Sequence, residues 1–151
     1  MKKYAIIVAG GSGTRFGSTL PKQFIPLGGV PVLMRTIKAF ADYDRDINIV
    51  VALPSEHLTL WGDLCALRNF DVPHKVVEGG ANRFESVRNA LFAVNETECL
   101  VAVHDGARPL VSRQVIAAGF ETAARCGTAI PTVPVTDSIR QLDRNGSHNV
   151  S

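Results

Sequence analysis

Residues 8–17 read Val8-Ala9-Gly10-Gly11-Ser12-Gly13-Thr14-Arg15-Phe16-Gly17, and Pro21-Lys22-Gln23 follow soon after. The apolar run 4–9 that leads into the glycines is typical of a buried strand in a parallel sheet. Glycines directly after such a strand let the backbone approach a polyanion and turn its N–H groups toward it. Arg15 and Lys22 add a positive charge on either side of whatever the loop holds. The stretch therefore predicts a strand followed by a loop that binds a nucleoside triphosphate.

The spacing of the glycines distinguishes this loop from other nucleotide-binding loops. A Walker loop requires G-x-x-x-x-G-K-[ST], and no glycine here is followed by lysine and a hydroxyl residue. A dinucleotide-binding loop requires G-x-G-x-x-G, whereas Gly11, Gly13 and Gly17 give G-x-G-x-x-x-G. The second predicted strand also ends, at residues 51–54, without the acidic residue that would bind a ribose. An NAD-dependent oxidoreductase is therefore disfavoured.

Strand and helix patterns alternate along the rest of the chain. Further strands are predicted at 47–53, 74–77, 99–103 and 128–135, and helices are predicted to begin at Pro31, after a Ser55 cap, at about Arg83 and at Ser112. Such a βαβ series predicts an α/β fold with a doubly wound, mostly parallel sheet. Ligands of these sheets bind beyond the carboxyl ends of the strands.

The tail of the sequence has a different pattern. Residues 137–144 roughly alternate polar and apolar side chains, and Asn145-Gly146 is a strong hairpin-turn signal. We therefore predict a nucleotide-binding α/β domain at 1–136 and the start of a β-hairpin arm at 137–151. Because the returning strand is only begun at Ser151, we expect the natural chain to continue beyond it.

Composition narrows the possible partners and location. A net charge of +2, scattered basic residues and an aromatic content of 7% give little support for a nucleic-acid partner. No apolar run approaches the roughly 18 residues of a membrane span, and a strand begins too early for a signal peptide. Three cysteines are too few and too far apart for a disulfide framework or a zinc site. We expect a cytoplasmic protein without a membrane partner.

The segment after the third strand combines a helix cap with two polar candidates. Asn82 and Glu85 have the spacing of a capping box. Arg83 falls on the apolar side of the following helix, so it should project over the carboxyl edge of the sheet toward a ligand. Ser86 offers a hydroxyl at the same helix start. The alternative is a capped helix with a solvated arginine.

The fourth strand ends in His104-Asp105-Gly106-Ala107-Arg108-Pro109, a charged cluster where a ligand is expected. Asp105 could hold a magnesium–phosphate assembly or a ribose hydroxyl, and Arg108 could bind a substrate phosphate. Gly106 would let the backbone approach the ligand. The alternative is an Asp–Arg pair that only orders the loop. Asp137-Ser138 forms a weaker cluster at a later strand end.

Taken in order, these motifs resemble those of the 2-C-methyl-D-erythritol 4-phosphate cytidylyltransferases of the non-mevalonate isoprenoid pathway. The matching segments are 9–15, 21–23, 79–80 with Arg83 and Ser86-Val87, 104–109, and Pro134-Val135 with Asp137-Ser138. The resemblance implies a Rossmann-like fold of the nucleotide-diphospho-sugar transferase type. It also implies a magnesium-dependent transfer of CMP from CTP to methylerythritol phosphate, with release of pyrophosphate. A homodimer formed through the hairpin arm is implied as well.

The same resemblance implies a role for each candidate residue. The catalytic residues, which stabilise charge on the phosphates, would be Arg15 and Lys22. The residues that bind the nucleotide would be Ala9, Gly10, Gly11, Gly13, Gly80, Ala81, Arg83, Ser86, Asp105 and Gly106, with Gly80 and Ser86 reading the cytosine. Asp105 would also lie near the metal ion, and Arg108 and Ser138 would face the polyol phosphate.

Two other functions remain open from the sequence. A ribitol-5-phosphate cytidylyltransferase shares the glycine loop and a similar histidine–aspartate segment, although Ser86-Val87 and the spelling of 106–109 look more like the methylerythritol enzyme. A non-catalytic nucleotide-binding fragment is the second alternative. It would have no need to retain both Arg15 and Lys22.

Overall fold

The computed structural model describes residues 1–10, 20–134, 136, 140–143 and 146–149 of the 151-residue chain. The strands are β1 (Lys2–Val8), β2 (Pro26–Leu27), β3 (Val30–Pro31), β4 (Asn48–Leu53), β5 (Lys75–Glu78), β6 (Cys99–Asp105), β7 (Arg140–Asp143) and β8 (Gly146–Asn149). The helices are α1 (Val32–Tyr43), α2 (Leu58–Leu67), α3 (Arg83–Leu91) and α4 (Arg113–Cys126), with 3-10 turns at Lys22–Phe24 and Ser55–His57.

The central sheet has the strand order β5-β4-β1-β6, and every neighbouring pair is parallel. In this register Val8 lies beside both Ala52 and Asp105, and Leu53 lies beside Glu78. Parallel strands bring their carboxyl ends to one edge, so the segments that follow β1, β5 and β6 meet there. The predicted fold class, a doubly wound α/β sheet, is confirmed.

Helices cover both faces of β1, which explains why the strand is apolar throughout. On one face Ala5 and Ile7 pack in a core with α1, α2 and α4, and on the other Tyr4 and Ile6 pack against α3. The two sets alternate along the strand, as the period of two requires. This double burial fixes the end of β1, from which the glycine segment departs.

Three helix starts follow the sequence signals and a fourth does not. The first helix, α1, begins at Val32, directly after Pro31. The side chains of Asn82 and Ser112 accept hydrogen bonds from the backbone N–H groups of Glu85 and Val115, capping α3 and α4. Ser55 was predicted to cap a helix, and this prediction is wrong. Ser55 instead begins a 3-10 turn, and neither that turn nor α2 has a side-chain cap.

The strand predicted at 128–135 is also absent from the part of it that the structure describes, 128–134. Pro131 and Pro134 lack the N–H groups that a ladder needs. Consequently β6 is the edge strand of the described sheet. The predicted hairpin strands are present as the antiparallel pair β7 and β8, while residues 144–145, which include the predicted turn residue Asn145, lie outside the described residues. None of the described helices combines the length and hydropathy that a membrane span requires.

Candidate active site

A cleft of about 460 Å³ opens at the carboxyl edge of the sheet, where β1 and β6 end and α3 begins. Its volume lies within the roughly 300–1,000 Å³ of small-molecule sites. Three of the side chains on its described wall are cationic and one is a carboxylate, so that wall suits an anionic ligand. The lining residues are Val8, Ala9, Gly10, Lys22, Gln23, Gly80, Ala81, Asn82, Arg83, Ser86, Asp105, Ala107 and Arg108.

The structure brings together most of the residues that the sequence singled out. Those on the wall are Ala9, Gly10, Lys22, Gly80, Ala81, Arg83, Ser86, Asp105 and Arg108. Gly106 does not line the cleft, and Gly11, Gly13, Arg15 and Ser138 lie outside the described residues. Four further wall residues were not among the candidates from the sequence. Val8 and Gln23 appeared only as part of a strand and of a motif, Asn82 signalled only a helix cap, and Ala107 has no functional group to signal.

The wall nearest β1 carries Lys22, which begins the 3-10 turn after Pro21 and is exposed at the cleft. The next residue, Gln23, is buried, and its Nε2 donates to the backbone oxygen of Ala9 over 2.8 Å. Phe24 is buried as well and stacks on Trp61. The lysine therefore projects from a turn whose other two residues are packed into the protein.

The wall nearest α3 is a loop tied to its own helix. The N–H of Gly80 donates to Ser86 Oγ over 3.0 Å, and Ser86 Oγ donates to the carbonyl of Asn82 over 2.9 Å. The N–H of Ala81 donates to a carboxylate oxygen of Glu85 over 3.0 Å. A Cβ on Gly80 would lie 2.2 Å from the Cβ of Glu85, so only glycine fits this turn. The loop presents a fixed surface with a buried hydroxyl at its base.

The third wall carries a three-member charge cluster. Asp105 ends β6, and its Oδ1 accepts from Arg83 Nε and Nη2 over 3.3 and 3.1 Å. Its Oδ2 lies 2.9 Å from Arg108 Nε, one turn further along the chain. The arginine side chains are 61% and 76% exposed, so both remain within reach of a ligand. The pair that was expected to order the loop is present, and it includes Arg83 as a second cation.

Gly106 was predicted to let the backbone approach a ligand. The structure shows a different reason why a glycine is needed at this position. A Cβ at this position would point inward and lie 2.8 Å from the Cβ of Ala9 and 3.0 Å from Leu33 Cδ1. The N–H of Gly106 donates to the Val8 carbonyl, and the Gly106 carbonyl accepts from Thr36 Oγ1, each over 2.8 Å. Close packing beneath the turn therefore requires the glycine.

His104 lies immediately before this cluster and faces the opposite side of the strand from the cleft. Its ring packs edge-on against Phe40 with centroids 5.2 Å apart, and its buried Nδ1 has no hydrogen-bond partner among the described residues. Burial lowers the pKa of His104 below its ordinary value, against the opposing attraction of Asp105. A neutral imidazole packed in this way is structural.

The sequence of the chain matches a family of known proteins. A family model described as 2-C-methyl-D-erythritol 4-phosphate cytidylyltransferase (IspD) matches residues 4–150, which is nearly the whole chain. The chain belongs to this family. The family predicted from the glycine loop and the 79–87 and 104–109 segments is confirmed.

Curated relatives and a solved structure agree with this assignment. The chain is 47% identical over 150 residues to the 2-C-methyl-D-erythritol 4-phosphate cytidylyltransferase of Azobacteroides pseudotrichonymphae, covering 99% of this chain and 67% of the relative. It is 48% identical over 151 residues to that of Bacteroides thetaiotaomicron, covering 100% and 68%. The crystal structure of the 4-diphosphocytidyl-2C-methyl-D-erythritol synthase from Anaerococcus prevotii aligns with a TM-score of 0.80 at 25% identity, covering 98% of this chain and 62% of that chain.

Membership in the cytidylyltransferase family identifies a class of enzyme as well as a fold. The function predicted from the sequence, a nucleotidyltransferase of the isoprenoid pathway that acts on CTP and methylerythritol phosphate, is the function of this family. The ribitol-phosphate alternative is not favoured by these relatives. The chain spans about two thirds of the length of the curated relatives that it matches.

The cleft offers a limited donor set for a metal ion. Asp105 is the one carboxylate on the described wall, and no group of three or more His, Cys, Asp or Glu residues forms a metal cage within the described residues. Mg²⁺ commonly binds through one or two carboxylates together with substrate phosphates and water. The described residues therefore fit a magnesium ion carried mainly by the nucleotide, for which Asp105 would be the carboxylate ligand.

Proposed function

We propose that this chain, within the full-length protein, catalyses the transfer of CMP from CTP to 2-C-methyl-D-erythritol 4-phosphate. The observation that carries the proposal is the cleft at the carboxyl edge of the sheet, which is lined by Lys22 and by the pair of arginines, Arg83 and Arg108, that bind Asp105. An excess of cations in a cleft of this size suits two phosphorylated substrates held together. Family membership supplies the identity of those substrates.

The proposed reaction is a displacement at phosphorus. A phosphate oxygen of methylerythritol phosphate attacks the α-phosphorus of CTP. A new P–O bond forms while the bond from the α-phosphorus to the oxygen that bridges to the β-phosphorus breaks, and the electron pair leaves with pyrophosphate. Such transfers depend on positioning and on stabilising charge. Lys22, together with Arg15 from the glycine loop, is proposed to supply that stabilisation.

Ser86 is proposed to select the cytosine base. Its hydroxyl already donates its only proton to the Asn82 carbonyl and accepts from the N–H of Gly80. One lone pair therefore remains, and it can only accept a hydrogen bond. The 4-amino group of cytosine is a donor, whereas the 4-oxygen of uracil is an acceptor. Gly80 and Ala81 would add backbone contacts to the base.

Family membership suggests the roles that we propose for the remaining candidate residues. Ala9, Gly10, Gly11 and Gly13 are proposed to wrap the nucleotide phosphates, with Arg83 completing the nucleotide side. Arg108 and Ser138 are proposed to bind the phosphate of the polyol. Asp105 and Gly106 are proposed to act near the ribose.

Mg²⁺ is proposed as the cofactor, and Asp105 as the residue that contacts it. When bound, the ion neutralises phosphate charge and holds the pyrophosphate leaving group. Both carboxylate oxygens of Asp105 accept from arginines, so a direct contact with the metal requires one of these pairs to open. We propose that a substrate phosphate takes over Arg108 and thereby frees Oδ2.

A homodimer in the cytoplasm is proposed for the assembly. The pair β7 and β8 forms a sheet of its own, and Leu142 within it is 79% exposed. Isolated two-stranded hairpins are marginally stable, so this arm is expected to pack against a second copy. All three cysteines are free thiols, in keeping with a reducing compartment. Sedimentation of the full-length protein would give a dimer mass, and a monomer would contradict the arm's role.

The experiment that tests the proposed activity is a pyrophosphate-release assay on the full-length protein. CTP and Mg²⁺ would be supplied with either methylerythritol phosphate or ribitol 5-phosphate. Release with methylerythritol phosphate alone is expected. Release only with ribitol phosphate would move the substrate to the alternative, and binding of CTP without release from either would indicate a nucleotide-binding module.

A further inference from the structure

Only three polar side chains are classed as buried among the described residues, and all three bind a backbone carbonyl beside the cleft. They are Gln23, Thr36 and Ser86, whose partners are the carbonyl oxygens of Ala9, Gly106 and Asn82. A buried polar group is costly unless it is hydrogen-bonded, and an apolar side chain could fill the same space. The proposed function gives Ser86 a direct role and gives the other two none.

Gln23 joins the two ends of the glycine segment. It is 1% exposed and its amide donates to the oxygen of Ala9, the residue at which β1 gives way to the glycines. Ala9 is itself held to the sheet, because its N–H donates to the carbonyl of Ala52 over 3.0 Å. Gln23 therefore ties the turn that carries Lys22 directly to the central sheet.

The same turn has a second attachment on its other side. Phe24 is 1% exposed, stacks on Trp61 with ring centroids 6.0 Å apart, and meets His57 edge-on at 5.6 Å. Lys22 thus precedes two consecutive anchored residues. Its ammonium position depends on that anchoring, since the lysine side chain itself is flexible.

Thr36 holds the turn after β6 from below. It is fully buried in α1, and its hydroxyl donates to the carbonyl of Gly106 over 2.8 Å, with the carbonyl of Val32 as a more distant acceptor at 3.2 Å. The N–H of Gly106 is bound to β1 through Val8. Gly106 is therefore fixed from both sides, between the two residues Asp105 and Arg108 that face the cleft.

We propose that Gln23 and Thr36 are positioning residues for the proposed transfer reaction, Gln23 acting through Lys22 and Thr36 acting through Asp105 and Arg108. The inference rests on the proposed function. Because the two residues support different walls, they leave different kinetic signatures. Loosening Lys22 weakens an interaction made in the transition state, whereas loosening Arg108 weakens the binding of the polyol phosphate.

The test uses the full-length protein with the near-isosteric substitutions Gln23→Met and Thr36→Val. Gln23→Met is expected to lower kcat about tenfold or more while the KM for CTP stays within about twofold. Thr36→Val is expected to raise the KM for methylerythritol phosphate about fivefold or more, with the KM for CTP little changed. Thr36→Ser keeps the hydroxyl and should behave as the wild type.

A matched control separates positioning from stability. Ile49→Val removes one methylene from the core in β4, away from the cleft, and should lower the unfolding temperature without altering either kinetic constant. If Gln23→Met does not fold, Gln23→Asn serves in its place, because its amide is one methylene too short to reach Ala9.

The outcomes distinguish a failure of the positioning roles from a failure of the proposed function. The positioning roles are overturned if Gln23→Met and Thr36→Val lose only stability, as Ile49→Val does. They are also overturned if the two variants change kcat and KM in the same way. A wild-type protein that releases no pyrophosphate contradicts the proposed function itself, and with it the reaction that these residues are proposed to serve.

Discussion

The guanidinium of Arg83 lies 3.1 Å from a carboxylate oxygen of Asp105, 22 positions away along the chain. Arg83 is the first residue of α3 and Asp105 the last of β6, so the pair links the start of a helix to the end of a strand at the carboxyl edge of the sheet. Arg108 binds the other oxygen of the same carboxylate. One acidic side chain therefore holds two cations at the mouth of the cleft.

The substitution Asp105→Asn tests what this carboxylate does. The amide keeps the shape but loses the charge that orients Arg83 and Arg108, so pyrophosphate release in the full-length protein should fall about tenfold or more. Because the arginines are largely exposed, the free energy of unfolding should change by less than about 1 kcal/mol. Asp42→Asn, which removes the surface partner of Lys38, is the matched control and should leave activity unchanged. A stable Asp105→Asn protein with full activity would contradict the role of Asp105.

The substitution Lys22→Ala tests the charge proposed for the transition state. We expect kcat to fall about a hundredfold or more, in the range seen when one stabilising donor is removed, with a much smaller change in CTP affinity. Lys38→Ala removes an exposed lysine on α1 and provides the control. Steady-state kinetics together with CTP titration by calorimetry would measure both quantities. Equal losses in turnover and in affinity would mean that Lys22 binds the ground state only.

The substitution Ser86→Ala tests base selection. Without the hydroxyl, the preference for CTP over UTP should fall about tenfold or more, because the site loses an acceptor for the 4-amino group. The matched control is Ser112→Ala, which removes the hydroxyl that caps α4. It should lower the free energy of unfolding by about 1 kcal/mol without changing this preference. Ratios of kcat/KM for the two nucleotides give the readout. An unchanged ratio in Ser86→Ala would remove Ser86 from base recognition.

The substitution Gly106→Ala tests the close packing beneath the turn. The new methyl group would meet Ala9 and Leu33, so the protein should lose about 1–3 kcal/mol of unfolding free energy as the turn shifts. Gly62→Ala places the same methyl group on α2 with nothing within 4 Å and should instead be stabilising by about 0.5–1 kcal/mol. Chemical denaturation measures both. If the two variants were equally stable, the reason given for Gly106 would be wrong.

The partly buried imidazole of His104 predicts a pH dependence of stability. Burial lowers its pKa in the folded protein, so near and below pH ~6.5 the unfolded chain binds more protons than the folded one. The contribution of this group is therefore complete above that pH and declines as the pH falls toward the folded pKa. His104→Asn should reduce the loss of unfolding free energy between about pH 7.5 and about pH 5.5. A difference identical to that of the wild type would show that His104 does not contribute.

Local signals predicted the parts of the fold that local energetics decide. The apolar run into the glycines marked β1, because a strand that is buried on both faces is apolar throughout. The spacing of Asn82 and Glu85 marked the start of α3, because a helix cap needs only neighbouring residues. The rule that ligands bind at the carboxyl edge then placed Arg83 and Asp105 on one side of the sheet. Their direct contact follows from that placement.

Contacts that depend on distant parts of the chain left no signal in the sequence. The bond from Thr36 to Gly106 spans 70 positions, and nothing near Thr36 distinguishes it from an ordinary core threonine. A strand at 128–135 would need hydrogen bonds to a neighbouring strand. Pro131 and Pro134 cannot donate such bonds, and the described part, 128–134, forms no strand. The Gly28-Gly29 pair was a usable signal for the hairpin of β2 and β3, because two-residue Gly-Gly turns join short antiparallel strands.

The most direct test of the central claim is to follow the α-phosphate of CTP. The full-length protein would be incubated with Mg²⁺, methylerythritol phosphate and CTP labelled at either the α- or the γ-phosphorus. We expect the α-label to appear in a CDP-linked polyol and the γ-label in pyrophosphate. An α-label that remained in CTP, or that appeared only in free CMP, would contradict the proposed transfer.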